Sequence, residues 1–285
     1  MAIVFQGERG AFTELAAIEY FSGKEKAEAV AKWEDVFRAV ENGGAAYGII
    51  PIENSLGGSI HRNYDLLLHH DLFITGEIYL KISQFLLANK GVGLRRIKRV
   101  FSIPQAFEQC RRYFEKNPAF ECVPASNTAA AAKKIKEENL LDAAAVSSMQ
   151  AAIDYDLKIL ARDIEDDKEN ITRFLILSKK KTSSRGATKA MKTSVVFSLK
   201  NIAGALFKSL SVFALRDIDL LKVESRPMRG KPFEYLFYLD FSGSANEEAQ
   251  RNAINHLGEI TVMCRVLGSY PVGGVAHPVY KKRRL

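Results

Sequence analysis

Short apolar runs alternate with helix-spaced stripes along the first 177 residues. Ile3–Phe5 reads as a strand. The segment after it places Leu15, Ile18 and Phe21 on one helical face, with Thr13 set to cap it. Trp33, Val36, Phe37 and Val40 recur at i, i+3, i+4 and i+7, a second helical stripe. Tyr47–Ile50 is a short buried strand that Pro51 ends, and a polar loop follows, Glu53-Asn54-Ser55-Leu56-Gly57-Gly58. Ile74–Leu87 is long and mostly extended, and Val100–Phe101, Cys122–Val123 and Ala143–Val146 are further strands with helices between them. The rhythm is α/β. It predicts a mainly parallel sheet flanked by helices, with ligands beyond the carboxyl ends of its strands.

After residue 178 the pattern changes. Ser, Thr, Lys and one Gly dominate the stretch up to residue 192, which reads as an interdomain linker over 179–192. Beyond it Val195–Leu199 is a strand, and Ala205–Phe213 is a helix with Leu206, Leu210 and Phe213 on one face. Ile218–Val223 and Tyr235–Phe241 are strands, Glu247–Leu257 is a helix, and Thr261–Leu267 is a last strand. The order βαββαβ is ferredoxin-like. The expected organisation is a first domain over 1–178, the linker, a second domain over 193–272 and a tail over 273–285.

Composition narrows this little. The chain has 285 residues, 47% hydrophobic and 26% charged, which suits two or three compact units. No apolar run approaches the ~20 residues of a membrane span. The N-terminus enters a strand-like run directly, without the basic start and long apolar stretch of a signal peptide, so the expected compartment is the cytosol. Cys110, Cys122 and Cys264 form no CxxC spacing and read as reduced, mostly buried thiols. The net charge is +8, but Lys179, Lys180, Lys181, Arg185, Lys189 and Lys192 lie in the linker region and Lys281, Lys282, Arg283 and Arg284 in the tail. Without these ten cations the remainder carries −2, so neither nucleic acid nor membrane is an expected partner.

Several polar groups stand at strand ends. Gly7-Glu-Arg-Gly10 joins a strand to a helix; it lacks GxGxxG spacing and a Walker lysine, and reads as a tight turn before it reads as an anion loop. Pro51-Ile-Glu-Asn-Ser55 gathers an acid, an amide and a hydroxyl, equally consistent with a site and with a cap plus turn. Ser102-Ile-Pro-Gln-Ala106 and Ser126-Asn-Thr-Ala129 open helices, with Ser102 suited to a cap and Pro104 to the first helical position. Two such helix starts on one cleft would bind carboxylates, though capping alone explains each. Asn170-Ile-Thr-Arg-Phe174 taken by itself is a loop entering a strand. Histidines 61, 69, 70, 256 and 277 show no ligand spacing, and no metal is expected.

Together these segments resemble the prephenate dehydratase family. The resemblance runs in order through Gly7-x-x-Gly10-Ala-Phe, Pro51-Ile-Glu-Asn-Ser-x-x-Gly58, Ser102-x-Pro-Gln-Ala-x-x-Gln-Cys110, Ser126-Asn-Thr-Ala-Ala, Ala144-Ala-Val-Ser-Ser and Asn170-x-Thr-Arg-Phe174. The later part resembles an ACT regulatory domain through Gly204-Ala-Leu206, Glu224-Ser-Arg-Pro227 and Leu267-Gly-Ser-Tyr-Pro271. The resemblance implies a two-lobed catalytic domain like a type II periplasmic binding protein. One lobe would combine the first ~75 residues with those after about 160, the middle stretch would form the other, and the site would lie between them.

The implied reaction is loss of CO2 and water from prephenate to give phenylpyruvate, driven by aromatisation and needing no cofactor. The resemblance makes Thr172 the essential hydroxyl. Glu53 is the rival proton donor, but its ordinary pKa of about 4.3 leaves it ionised at neutral pH unless burial raises it. Arg173 would pair a substrate carboxylate, Asn54, Ser55, Ser102, Gln105 and Thr128 would hydrogen-bond in the cleft, and Phe174 would wall the ring. In the ACT part, Gly204, Ala205, Leu206, Asp219, Glu224, Ser225, Arg226 and Pro227 would bind L-phenylalanine at the interface of a homodimer or homotetramer. Ala203 replaces a frequent proline and Asp219 a usual asparagine, which leaves feedback inhibition open. Arogenate dehydratase is the alternative within the enzyme class. A non-catalytic amino-acid sensor is the alternative outside it, followed by a structural interaction module.

Overall fold

In the computed structural model, residues 2–182, 190–228, 230–278 and 280 are described. The middle of the expected linker and the end of the expected tail therefore lie outside the described residues. By compactness the chain divides into Met1–Asn63, Ile78–Phe174 and Gly274–Leu285 as one unit, and Tyr64–Glu77 with Leu175–Gly273 as the other. No single cut near residue 178 separates them.

The first sheet is built from β1 (Ala2–Gln6), β2 (Lys26–Val30), β3 (Tyr47–Asn54), β4 (Gly58–Ser59) and β5 (Phe73–Lys81), with α1 (Phe12–Tyr20), α2 (Trp33–Glu41) and α3 (His61–His69) between them. The second sheet takes the middle of the chain: β6 (Phe85–Ala88), β7 (Arg99–Ser102), β8 (Glu121–Pro124), β9 (Ala143–Ser147) and β10 (Lys158–Ala161). Its helices are α4 (Pro104–Gln109), α5 (Arg111–Glu115), α6 (Thr128–Glu137) and α7 (Met149–Asp154). The chain then returns to the first sheet in β11 (Ile171–Ser178). The third sheet and its helices are β12 (Met191–Ser198), α8 (Ala205–Ala214), β13 (Leu220–Pro227), β14 (Tyr235–Ser242), α9 (Glu248–Ile260) and β15 (Met263–Pro271), and β16 (Val275–Ala276) pairs with β5.

Strand order is β16-β5-β11-β3-β1-β2 in the first sheet, with β4 on β3, and β10-β6-β9-β7-β8 in the second. The expected two-lobed α/β arrangement is thus present. The second sheet is mixed, parallel at β7–β8 and β7–β9 and antiparallel at β6–β9 and β6–β10. Both of its faces are buried, which is why its strands read as continuous apolar runs. Phe85, Leu87, Ala143 and Ala145 pack on one face, and Leu86, Ala88, Ala144 and Val146 on the other. The third sheet has the order β13-β14-β12-β15, the antiparallel ferredoxin-like sheet expected from βαββαβ.

Local expectations needed correction where the backbone found other partners. β3 runs through Pro51: its register with β1 ends at Ile49, and the Pro51 carbonyl accepts from Asn63 Nδ2 at 2.7 Å. Ile49, Ile50 and Ile52 are fully buried around it, each contributing about 1.5–3 kcal/mol. Thr13 lies inside α1 and does not cap it. Glu14, in the first turn, instead accepts the Gly10 N–H at 2.7 Å. Ser102 does not cap α4; its hydroxyl donates to the Val146 carbonyl at 2.8 Å and ties β7 to β9, while Pro104 does open the helix. The run Ile74–Leu87 is two strands in two sheets, parted where Ile82 N–H meets the Asn170 carbonyl and Gln84 N–H meets Glu165 Oε2. The last two residues of the expected linker are already in β12, where Lys192 is buried against Glu77 at 2.8 Å. Val275 and Ala276 likewise belong to a sheet, not to a tail.

Candidate active site

A cleft of about 540 Å³ opens within the first unit, lined by β3 and β11 of the first sheet and by α4 and the start of α6. α1 and α6 present their N-terminal turns to it, through Ala11, Phe12 and Thr13 and through Ser126, Asn127 and Thr128. Asn127 caps α6, its Oδ1 accepting the Ala130 N–H at 2.7 Å. Gly10, at φ +86°, lets the loop before α1 approach α7: a Cβ there would sit 2.7 Å from Ala151 Cα, and Ser148 Oγ donates to the Gly10 carbonyl at 2.6 Å.

The period of two along a strand sorts the candidates. Thr172 and Phe174 on β11 face the cleft, and Asn54 at the end of β3 joins them. Arg173 and Glu53 are absent from the lining, and each makes an interaction of its own. The lining lends no support to the expectation that these two act on substrate directly. Ser55 is also off the cleft: its hydroxyl donates to the Glu169 carbonyl and accepts from Ile171 N–H, both at 2.9 Å, fastening the turn to β11. Ser102 is spent on the β7–β9 tie. Gln105 and Thr128 do line the cleft.

Asn54 is the hub. Its Oδ1 accepts from the backbone N–H groups of Leu56 (3.0 Å) and Gly57 (2.8 Å), which fixes which end of the amide is oxygen. Nδ2 must then face the other way, and it donates to Asn170 Oδ1 at 2.7 Å and Thr172 Oγ1 at 2.9 Å. Thr172 accepts that bond, so its own proton remains to be donated. Three further cleft amides and cations went unassigned in the sequence. Gln109 Nε2 reaches Asn54 Oδ1 at 3.4 Å, Gln84 Nε2 reaches Gln109 Oε1 at 3.3 Å, and Arg62 lies beside His61 on the rim. Gln109 stood inside the quoted Ser102–Cys110 motif; Gln84 carried no signal.

The cleft is electropositive in composition. Its lining includes Arg62 and His61 and, among the described residues, no carboxylate. Arg62 also holds Glu34 Oε1 at 2.7 Å, and this hydrogen bond keeps the Glu34 carboxyl below the usual carboxylate range. Burial pushes the Cys110 thiol up, with the Glu165 and Asp166 charges adding to it, as expected of an inert buried cysteine. Among the described residues no group of three His, Cys, Asp or Glu side chains is placed to hold a metal ion.

In the other unit the expected effector residues lie at the start of α8, along β13 and just before it. Gly204 caps α8 in the left-handed conformation (φ +75°), with Ala205 and Leu206 opening the helix. Along β13, Glu224 and Arg226 point to the side opposite Ser225 and Pro227. Glu224 meets Lys222 at 3.5 Å, and Arg226 forks onto Asp65 at 3.1 Å to each oxygen. Asp219 precedes the strand, its carbonyl accepting from Ser242 N–H.

A prephenate dehydratase family profile matches residues 3–182. The chain belongs to the prephenate dehydratase family. Arogenate dehydratase/prephenate dehydratase 2, chloroplastic, of Arabidopsis thaliana is 48% identical over 280 residues, covering 95% of this chain and 72% of the relative. The prephenate dehydratase of Arthrobacter aurescens, solved in complex with L-Phe, is 32% identical with a TM-score of 0.86 and covers 95% of this chain and 90% of that one. A solved protein described as a novel type of quorum-quenching acylase, GqqA, superposes equally well at TM-score 0.86, with 28% identity over 95% of this chain and 98% of its own. The chain is thus a dehydratase of aromatic amino-acid biosynthesis acting on prephenate or arogenate. The expectation of a cytosolic compartment is overturned. It rested on the look of the N-terminus alone, whereas the similar Arabidopsis dehydratase is named as chloroplastic.

Proposed function

We propose that this prephenate dehydratase family member converts prephenate to phenylpyruvate at the cleft of the first unit. The observation that carries the reading is the forced orientation of Asn54, which makes Thr172 a hydrogen-bond donor to the cleft. The bond from the ring to its carboxylate breaks to release CO2. Its electron pair enters the ring as the ring C–O bond breaks on the other side. The departing hydroxyl takes up a proton and leaves as water. Thr172 is too weak an acid to supply that proton outright, but its hydrogen bond stabilises the negative charge that develops on the leaving oxygen. The N-terminal turns of α1 and α6, with Arg62 and His61, bind the two carboxylates. Phe12, Trp33 and Phe174 wall the ring.

Arogenate is the second reading, supported by the name of the Arabidopsis relative. Arogenate carries an ammonium group, and a lining without a carboxylate among the described residues favours the keto acid. Control by L-phenylalanine through the ferredoxin-like part is supported by the L-Phe complex of the Arthrobacter aurescens enzyme. Pairing of that part in a homodimer or homotetramer is supported by Phe207 (75% exposed), Leu206, Leu221 and Val223, which stand open on α8 and the edge strand β13.

One experiment tests the substrate and the effector. Purified protein is assayed on prephenate and arogenate side by side, with and without L-phenylalanine, and titrated with L-phenylalanine in a calorimeter. Phenylpyruvate release with kcat/KM at least about tenfold above that for arogenate is expected. Equal or greater turnover of arogenate would reverse the substrate assignment, and absence of both heat and inhibition would remove the effector.

A further inference from the structure

The hydrogen bonds that orient Thr172 extend beyond Asn54, and each one fixes the next. Asn54 Oδ1 is held as the acceptor by two backbone N–H groups. Gln109, reaching that oxygen, must present Nε2 to it and so turn Oε1 away. Gln84 meets Gln109 Oε1 and must therefore present its own Nε2. The bonds run in one sense, from Gln84 through Gln109 and Asn54 to the Thr172 oxygen, and the last member keeps a proton to donate.

Gln84 begins this chain under unfavourable conditions. Its side chain is 2% exposed, and its Oε1 is buried with no hydrogen-bond partner among the described residues. A buried amide oxygen without a partner is destabilising, and an apolar side chain of the same length would avoid that cost. The position is itself tightly held, because Gln84 N–H donates to Glu165 Oε2 at 2.8 Å and Lys168 pairs with Glu165 Oε1 at 3.2 Å. What a glutamine supplies there, and an apolar residue does not, is the N–H on Gln109.

We propose that Gln84 is a positioning residue for the dehydration: by donating to Gln109 Oε1 it keeps the Gln109 Nε2 on Asn54 Oδ1, so that no amide oxygen is pressed against the Asn54 that holds Thr172. The inference rests on the function proposed above and adds a residue to its machinery. The bonds to and from Gln109 are the two longest in the chain, so Gln109 is the amide most easily turned when its donor is lost.

Two variants test it. Gln84→Met keeps the length and removes the donor. Its kcat should fall about 5- to 50-fold with KM within about threefold of wild type, and its unfolding midpoint should not drop, because the unpartnered oxygen is gone. Gln84→Glu presents a carboxylate to Gln109 Oε1 at neutral pH and should turn that amide round, lowering kcat at least as far. On acidification the new carboxyl gains an O–H that can donate again, so the ratio of its kcat to that of wild type should climb as pH falls. Glu165 beside it raises the pH at which this happens, Lys168 and the rim Arg62 lower it, His61 also lines the cleft, and Cys110 stays neutral throughout. A residue that only filled space would show no such recovery. A Gln84→Met kcat within twofold of wild type, or a pH-flat ratio for Gln84→Glu, overturns the inference. A wild-type protein that releases no phenylpyruvate overturns instead the function on which it rests.

Discussion

Replacing Asn54 by aspartate changes one atom of the side chain and should abolish most of the turnover. The carboxylate keeps both acceptor bonds, from Leu56 N–H and Gly57 N–H. It loses the N–H groups that face Asn170 Oδ1 and Thr172 Oγ1. Asn170 can adapt, because its Nδ2 is buried without a partner among the described residues and a turn of its amide would aim that donor at the new oxygen. The fold should therefore lose no more than about 1 kcal/mol, the worth of an ordinary hydrogen bond. Thr172 adapts in the opposite, harmful way. Facing an acceptor at 2.9 Å, it donates its proton to the introduced carboxylate and withdraws it from the cleft. Loss of a group acting on the leaving oxygen costs about 10²- to 10⁴-fold in kcat, or about 2.7–5.5 kcal/mol of transition-state stabilisation. Steady-state release of phenylpyruvate, read by its ultraviolet absorbance, and urea unfolding of the same preparation separate the two effects. An Asn54→Asp enzyme with kcat within about threefold of wild type, or one inactive only because it is unfolded, refutes the reasoning.

Thr172→Ala should lower kcat by about 10²–10⁴-fold with the fold intact, while Thr172→Ser, which keeps a hydroxyl, retains far more; circular dichroism and the same ultraviolet assay check both. Lys192→Met should destabilise the protein by about 3–5 kcal/mol by leaving Glu77 charged and buried, with part of the loss recovered in Lys192→Met/Glu77→Gln, as read from urea midpoints. Because Arg62 holds the Glu34 carboxyl below its unfolded pKa, the stability this pair contributes is present above about pH 4.3 and fades as pH falls through the depressed value. Arg62 is largely exposed, so the contribution is under about 1 kcal/mol, and the gap in urea midpoint between wild type and Glu34→Gln should close between pH 6 and pH 3.

The two-sheet plan and the βαββαβ segment were legible because both depend on periodicity, which a single sequence displays. Pro51 misled because a proline's effect on a strand depends on which neighbours its backbone would meet, and the register with β1 ends two residues earlier. The motif around residue 172 located the site but could not apportion roles within it. A motif treats Thr172, Arg173 and Phe174 as one block, whereas a strand sends alternate side chains to opposite faces. Ser55 and Ser102 carried the chemistry of ligands but were used by the backbone, and only three-dimensional pairing reveals that. Gln84 was invisible for the opposite reason: it sits in an extended apolar stretch, and its role follows from the direction of bonds anchored about thirty residues earlier in the chain.

The unit formed by Tyr64–Glu77 and Leu175–Gly273 bears on how the ferredoxin-like segment can be handled. A fragment beginning near residue 190 would look self-contained in secondary structure and would still be missing its electrostatic complements. Lys192 would be left without Glu77, Arg226 without Asp65, Tyr238 without the Tyr64 carbonyl, and Arg265 without the carbonyls of Leu68 and His70. Grafting this segment onto another protein therefore means carrying residues 64–77 with it, or first replacing the four side chains that depend on them.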